Sequence, residues 1–225
     1  EMKLGSTRGT NAILEHRGAA TAFLVTAGFK DLVAIGNQQR PDLFALDIRR
    51  PEPLYKIVLE VDERVAADGS VIRVLSAAGI RGLVARLCKE KVESVAIALL
   101  NAYSNPVHEQ RLAQVLQENG FKYVSVSHKL SSQIRLLPRA ETTLANAYLD
   151  PINHSYVSGI RKGLSGAPVL IMTSSGSLIR AESFHPKDSL LSGPAGGVVG
   201  AAKQASRSGL QRILAFDMGG TSTDV

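Results

Sequence analysis

Apolar residues recur along this chain with two periods, and their succession predicts an α/β fold. Unbroken apolar runs at residues 22–25 and 94–100 predict strands that are buried on both faces, as in parallel sheets. Residues 55–63 alternate between apolar and polar positions, which predicts a strand with one exposed face. The Asp68-Gly69 pair is typical of a hairpin turn and predicts that residues 71–74 form the return strand.

Helical spacing of apolar residues appears between these strands, as at residues 80–91. Residues 139–162 form the longest predicted helix, and Pro151 is expected to kink or restart it because proline has no N–H to donate. Residues 190–209 are rich in glycine and alanine and predict a helix that another backbone can approach closely. The apolar residues 212–216 predict a final strand.

Composition narrows the class of protein. The 225 residues are 44% hydrophobic and carry a formal net charge of +6, which fits a globular chain with a sizeable core. No apolar run reaches the roughly 18 residues of a membrane-spanning helix, and basic residues are not interleaved with aromatic ones. Neither a membrane nor nucleic acid is therefore an expected partner. The single cysteine, Cys88, excludes an internal disulfide, favours a cytoplasmic location and is expected in the core.

The end of the sequence carries the most specific chemistry. An apolar segment ends in Asp217, and a glycine pair, hydroxyl residues and Asp224 follow. Glycines let backbone N–H groups approach an anion, so Gly219, Gly220, Thr221, Ser222 and Thr223 are predicted to bind phosphate. Asp217 and Asp224 are predicted to organise a water-clad Mg²⁺ or a water molecule.

Other catalytic motifs are missing from the sequence. His108-Glu109 begins an apparent H-E-x-x-H zinc motif, but Leu112 stands where the second histidine belongs. The sequence holds neither the G-x-S-x-G of serine hydrolases nor the G-x-x-x-x-G-K-[ST] of P-loop NTPases. The remaining histidines are scattered and are expected to be structural or exposed.

A small-residue helix, a hydrophobic strand and F-D-x-G-G-T together resemble the actin/Hsp70/sugar-kinase ATPase superfamily. The whole chain resembles the hydantoinase A/5-oxoprolinase family. The motifs that carry this second resemblance are Gly5-Ser-Thr-Arg-Gly-Thr10-Asn11, Gly28-Phe29-x-Asp31-Leu32, Arg40-Pro41-x-Leu43-Phe44, Glu60-Val61-x-Glu63-Arg64, Asn105-Pro106-x-His108-Glu109, Asn146-Ala147-Tyr148-x-x-Pro151, Ser192-Gly193-Pro194-Ala195-Gly196-Gly197 and the final Phe216 to Val225. Arg135-x-x-Pro138-Arg139 looks more like the 5-oxoprolinase branch.

The resemblance implies mixed sheets flanked by helices, part of an actin/Hsp70-like (ribonuclease H-like) ATPase lobe with an inserted α/β region. Residues 1–127 correspond to the N-terminal-type α/β region of the family. Residues 128–225 correspond to the start of its core, which ends in the second phosphate loop. The family also has an earlier D-x-G-G-T-x-T-D loop, which no string before Gly5 matches. The chain is therefore expected to be an internal segment of a longer polypeptide, and inactive alone.

The resemblance also implies a reaction, the ATP-dependent opening of a cyclic amide through phosphorylation of its carbonyl oxygen. The substrate is 5-oxoproline, which gives glutamate, or a hydantoin, which gives a carbamoyl amino acid. ATP and Mg²⁺ are the implied cofactors, with K⁺ as a further candidate. Asp217 and Asp224 are the implied catalytic residues, and Asp217 holds Mg²⁺ through water. The implied partners are the remaining lobe and a hydantoinase B-like subunit or domain.

Four further residues are candidates for substrate binding, and each has a simpler alternative. Thr10 and Asn11 follow a predicted strand and could equally cap the next helix. Arg40 lies in a proline-containing loop and suits a substrate carboxylate, although a solvated loop explains it as well. Ser175 could line a pocket or belong to a hydroxyl-rich turn.

Two alternative functions remain open from the sequence. A subunit of an ATP-dependent ketone carboxylase would use a similar chain, and the substrate that stimulates phosphate release separates the two enzymes. A non-catalytic domain that binds only a partner belongs to a different class, and failure to bind nucleotide would favour it.

Overall fold

The computed structural model describes residues 1–38, 44, 46–48, 51–164, 167–218 and 223–224. Its strands are β1 (Met2–Leu4), β2 (Thr21–Thr26), β3 (Ile57–Val61), β4 (Arg64–Val65), β5 (Val71–Arg73), β6 (Ser94–Ala98), β7 (Tyr123–Val126), β8 (Val169–Met172), β9 (Leu178–Arg180), β10 (Asp217–Met218) and β11 (Thr223–Asp224). Its α-helices are α1 (Arg8–Leu14), α2 (Leu32–Ile35), α3 (Ala77–Glu90), α4 (Val107–Glu118), α5 (Ser127–Leu130), α6 (Leu136–Gly163) and α7 (Ser192–Arg207), with 3-10 turns at Ala181–Ser183 and Pro186–Ser189.

The chain divides into two units by its internal contacts. One, the continuous unit, is Gly18–Pro151, and the other, the split unit, joins Glu1–Arg17 to Ile152–Val225. Helix α6 contributes residues to both. The predicted division between residues 127 and 128 separates two regions that the family resemblance implies. Contacts group the residues differently, so they do not test this division, which stays a prediction.

A parallel four-stranded sheet forms the centre of the continuous unit, in the order β3-β2-β6-β7. Every residue of β2 and β6 is buried, which explains their unbroken apolar runs. Successive side chains alternate between two cores. One contains Leu24 and Ile97 with Leu87 and Leu112 of helices α3 and α4, and the other contains Phe23 and Ala96 with Ala140 and Leu144 of α6. Helices therefore cover both faces of the sheet.

The split unit contains a smaller, mixed sheet. Strand β1 pairs with β8 in parallel, with Met2 opposite Val169, and β9 pairs with β8 antiparallel. Helix α7 packs against this sheet. A Cβ atom added at Gly196 of α7 would lie 3.5 Å from Cγ of Met172 in β8. The sheets of the two units confirm the α/β class, with one parallel and one mixed sheet.

Several local predictions are wrong. Residues 212–216 form no strand, and the exposed fractions of Leu214 (82%) and Phe216 (64%) show why. An apolar run becomes a strand only when a neighbouring strand satisfies its backbone, and no described strand does so here. Instead, the adjacent β10 pairs antiparallel with β11.

Three smaller differences concern the helices and the hairpin. Helix α6 is continuous through Pro151, so it does not restart there, and the predicted kink at this residue stays a prediction. Cys88 is exposed, because the neighbouring Leu87 faces the core and successive helical side chains point about 100° apart. Strand β5 pairs with β4 and not with β3. Among the described residues, no helix combines the length and hydropathy needed to cross a bilayer.

Candidate functional site

The predicted site residues that the structure describes all belong to the split unit. Thr10 and Asn11 lie in α1, and Ser175 lies in the turn between β8 and β9. Asp217, Thr223 and Asp224 lie in the short strands β10 and β11. Arg40, Gly219, Gly220, Thr221 and Ser222 fall outside the described residues. Their predicted roles stay predictions.

Thr10 connects two distant parts of the sequence. It lies inside α1 and does not cap it, so the capping alternative is wrong for this residue. Its Oγ1 accepts a hydrogen bond from the backbone N–H of Leu191, at 3.1 Å. Leu191 immediately precedes α7 and adopts a left-handed conformation, with φ of 56°. Thr10 thus fixes the residue from which α7 starts.

A second hydrogen bond strengthens this junction. The hydroxyl of Ser192, which is buried, donates to the carbonyl oxygen of Ser6, at 3.2 Å. A Cβ atom at Gly193 would lie 3.4 Å from Cγ2 of Thr7, so the small residue at this position allows the close approach. The β1–α1 loop and the first turn of α7 are therefore held together. Asn11 is exposed and takes no part in the junction.

Ser175 belongs to a hydroxyl-rich turn. Its Oγ lies 2.8 Å from Oγ1 of Thr173, which also donates to the carbonyl oxygen of Ser177, at 3.1 Å. Gly176 has a φ of +76°, and a Cβ atom there would lie 2.9 Å from Cγ2 of Val199. The turn alternative is thus confirmed, and the turn packs against α7. A pocket role for Ser175 stays a prediction.

The backbone brings the two predicted carboxylate residues opposite each other. Asp217 is the register partner of Asp224, and Met218 is the partner of Thr223. Both aspartates therefore belong to one antiparallel pair of short strands. Hard oxygen donors of this kind suit Mg²⁺, which keeps several of its waters when bound. No group of three or more metal-ligating side chains occurs among the residues whose side chains are described.

Helix α7 begins in a way that suits an anion. No side chain caps its N-terminus in the described part of the chain, and its first turn carries no acidic residue. The partial positive charge of a helix N-terminus, with small residues around it, favours phosphate groups. The start of α7 is therefore a candidate site for an anion, and the binding of Mg²⁺ by Asp217 and Asp224 stays a prediction.

A buried polar cluster in the continuous unit was missed from the sequence. It lies where β2, β6 and β7 end, and it contains Thr26, Glu63, His108, Glu109, Ser127, His128 and Arg139. The Thr26 hydroxyl donates to Oε1 of Glu63 and accepts from the N–H of Leu100. Nδ1 of His108 lies 2.6 Å from Oε2 of Glu63. Most of these residues occur in the family-like motifs, which could have signalled them.

Glu109 is the centre of the second half of this cluster. Its carboxylate accepts from the N–H of Leu99 (2.9 Å), the hydroxyl of Ser127 (2.6 Å) and the N–H of His128 (3.0 Å). Nδ1 of His128 lies 2.6 Å from Oε2 of the same carboxylate. An ionised carboxylate only accepts, so Nδ1 is the protonated nitrogen of this ring. Nε2 of His128 is buried and has no partner among the described residues.

Arg139 closes the cluster from α6. Its guanidinium donates to the carbonyl oxygen of Leu99 and, through Nε, to the hydroxyl of Ser127 at 2.9 Å. Burial lowers the pKa of Arg139, and the nearby charges of Glu109 and Tyr103 oppose this effect. Because each charged group here has a partner of opposite charge or several hydrogen bonds, the cluster is suited to locking the helices to the sheet.

Comparison with known proteins assigns the family. Residues 1–120 match the hydantoinase/oxoprolinase N-terminal region, and residues 139–225 match the hydantoinase/oxoprolinase model. The chain is 37% identical to 5-oxoprolinase of Saccharomyces cerevisiae and 39% identical to 5-oxoprolinase 1 of Arabidopsis thaliana. Both matches cover 100% of this chain and 20% of the relative, so the chain spans about one fifth of their length.

Solved structures agree with this assignment. The ATP-dependent caprolactamase from Pseudomonas jessenii superposes with a TM-score of 0.80 at 29% identity, over 97% of this chain and 33% of that chain. A nucleotide-free acetone carboxylase superposes with a TM-score of 0.85 at 23% identity, over 98% of this chain and 34% of that chain, and shows the fold alone. The family models cover most of the sequence, and the chain belongs to the hydantoinase/oxoprolinase family.

Proposed function

We propose that this chain is part of an ATP-dependent cyclic amide hydrolase, and that 5-oxoproline is its first candidate substrate. The observation that carries this proposal is the likeness to two 5-oxoprolinases over the whole chain. The ATP-dependent caprolactamase supports the class, because its name also refers to a cyclic amide. The split unit would form part of an actin/Hsp70-like lobe, in which α7 and the residues after it bind phosphate.

The chemistry explains why ATP is needed. The carbonyl carbon of an unstrained amide is a poor electrophile. Transfer of the γ-phosphoryl group of ATP to the carbonyl oxygen makes that carbon open to attack by water. The C–N bond then breaks and the nitrogen takes up a proton, which leaves an acyl phosphate. A second water hydrolyses this acyl phosphate to the carboxylate and phosphate. The net products are ADP, phosphate and the opened amino acid. Catalysis of such transfers consists mainly of positioning and of charge stabilisation.

This chain would supply part of that positioning. Gly219, Gly220, Thr221, Ser222 and Thr223 would hold phosphate oxygens through backbone N–H groups and hydroxyls. Asp217 would hold Mg²⁺ through water, and Asp224 would share this task, since β10 and β11 place the two residues in register. Bound Mg²⁺ neutralises charge on the phosphates.

The first experiment measures phosphate release from a polypeptide of the relatives' length that contains this chain. ATP, Mg²⁺ and 5-oxoproline are present, and 5-oxoproline is omitted in the control. Stimulation by 5-oxoproline supports the proposal. Stimulation by a ketone with bicarbonate, and not by any cyclic amide, would identify a carboxylase instead.

A pair of variants then tests the phosphate loop. Asp217→Asn should reduce ATP turnover at least about a hundredfold while leaving the melting temperature nearly unchanged. Glu182→Gln is the control, because Glu182 is an acidic residue of the same unit whose side chain is about half exposed and pairs with Arg161. Normal turnover in Asp217→Asn would contradict the assignment of this loop.

A further inference from the structure

The ribbon formed by β4 and β5 presents an apolar edge to solvent. Within the described part of the chain, β5 pairs with β4 alone. Val71, Ile72 and Val74 are 40%, 69% and 73% exposed, although they follow one another closely in a strand segment. A strand with a free edge exposes backbone N–H and C=O groups that can pair with another strand.

Side chains from the segment after β6 hold the ribbon in place by hydrogen bonds. Asn101 donates through Nδ2 to the carbonyl oxygen of Val65, at 2.9 Å, and Asn105 donates to that of Gly69, at 2.8 Å. Gly69 has a φ of +87°, and a Cβ atom there would lie 3.0 Å from the hydroxyl oxygen of Ser104. The edge is therefore preformed, which reduces the entropy lost when a partner binds.

A groove lies beside α3, and Leu75, which follows β5 after one residue, is part of its lining. The apolar lining of the groove comes from Leu59, Leu75 and Leu83, and Gly82 leaves it open, because a Cβ atom there would meet nothing within 4 Å. We call Val71, Ile72 and Val74 together with this groove the ribbon–groove surface.

Two ion pairs and one hydrogen bond engage charged groups at the rim of this surface. Asp62, which lines the groove, lies 2.5 Å from Arg73 of β5, and Arg86 lies 3.1 Å from Glu90. Glu60 also accepts a hydrogen bond from the N–H of Gly28, at 2.7 Å. A charged partner would gain little here. An apolar centre inside a polar rim is the usual composition of a protein interface.

We propose that the ribbon–groove surface binds an apolar β-strand of the same polypeptide, contributed by sequence outside these 225 residues. The free edge requires a strand, because only an extended backbone satisfies its hydrogen-bonding groups. The paired rim requires an apolar strand. The relatives are about five times as long as this chain, which covers 20% of each, so much further polypeptide accompanies such a unit. The proposal is independent of the reaction catalysed.

Hydrogen–deuterium exchange tests the proposal directly. The amides of residues 71–74 are compared between the 225-residue chain and a polypeptide of the relatives' length. We expect their exchange to slow at least about tenfold in the longer protein, at a concentration where it is monomeric. Equal exchange in both proteins would overturn the proposal.

A matched pair of variants provides the second measurement. Ile72 and Ile134 are both 69% exposed and both lie in the continuous unit. In the 225-residue chain, Ile72→Glu and Ile134→Glu should change the melting temperature equally little. In the longer protein, only Ile72→Glu should restore fast exchange in residues 71–74. A response of both variants, or of neither, would overturn the proposal.

Other occupants give different results. Protection that appears in the 225-residue chain as its concentration rises would identify a second copy of the chain. Protection that appears in the long polypeptide only after a separate subunit is added would identify that subunit. Either result would overturn the assignment to the same polypeptide.

Discussion

Oγ1 of Thr10 accepts a hydrogen bond from the N–H of Leu191, which lies 181 residues further along the chain. This contact fixes the start of α7 to α1. The same region begins the small-residue segment that we propose to lie near phosphate. Thr10 is therefore a positioning residue for a helix terminus, and its predicted role in substrate binding stays a prediction.

Replacing Thr10 by valine should destabilise the split unit. Thr10→Val keeps the shape of the side chain but removes the acceptor for the N–H of Leu191. Leu191 is exposed and water can replace part of the bond, so we expect a loss of about 0.5–1.5 kcal/mol in the free energy of unfolding, measured in urea. Thr10→Ser should recover most of it. Asn11→Ala, at an exposed neighbour, is the control, and an equal effect of both changes would contradict the role of Thr10.

Arg139 should be among the most sensitive residues of the continuous unit. Its side chain is fully buried, and Arg139→Met would remove the donor to the buried Leu99 carbonyl and the Ser127 hydroxyl, together with the positive charge near Glu109. We expect a loss of about 3–5 kcal/mol in the free energy of unfolding. Arg135 is exposed, so Arg135→Met should change it by less than about 0.5 kcal/mol. A small effect at residue 139 would show that the cluster does not lock α6 to the sheet.

Glycines at two positions should respond in opposite directions to alanine. A Cβ atom at Gly18 would lie 2.0 Å from the ring of Tyr148, which is buried, so Gly18→Ala should cost about 1–3 kcal/mol. Gly82 lies inside α3 with open space around it, and Gly82→Ala should stabilise by up to about 1 kcal/mol. Thermal unfolding of both variants measures the difference, and the same sign for both would refute the packing at Gly18.

Tyr55 should make stability fall at alkaline pH. Burial, together with the negative charge of Asp31, raises the pKa of Tyr55 above its ordinary value of 10.0. A raised pKa means that the folded state holds the proton more tightly than the unfolded state. This contribution is fully present below the unfolded pKa and is lost as pH rises through the folded pKa.

The matching variant is Tyr55→Phe. It retains the stacking of this ring on Phe23, whose centroid lies 5.9 Å away, and removes the ionisable hydroxyl. Urea unfolding of both proteins at neutral pH and above about pH 10 should show a smaller alkaline loss in the variant. Identical pH profiles would mean that the Tyr55 hydroxyl has the same pKa in both states.

Secondary structure could be predicted from the sequence where the burial of a segment alone sets its pattern of apolar residues. The apolar runs of β2 and β6 are fully buried, and a strand that is buried on both faces is apolar at every position. The segment 212–216 has the same apolar character but no partner strand, and partner strands cannot be read from local sequence. Pairing, not composition, explains this failure.

The candidate site likewise has a part that could be predicted from local sequence and a part that could not. Asp217 and Asp224 can be singled out from one short stretch of sequence, whereas their register as partners in β10 and β11 appears only in the structure. The cluster around Glu109 was missed because its members come from five separate segments. In the sequence, His108-Glu109 resembles part of a zinc motif and part of a family motif, and neither resemblance indicates that the two side chains belong to different halves of this cluster.

The discontinuity of the split unit dictates an order of assembly during synthesis. Met2 of β1 pairs with Val169 of β8, so this pairing forms only after the ribosome has made the residues from 2 to 169. Residues 18–151 are complete much earlier and can collapse around their own parallel sheet. Strand β1 therefore pairs late. Slow or incorrect folding of residues 18–151 would delay its pairing with β8.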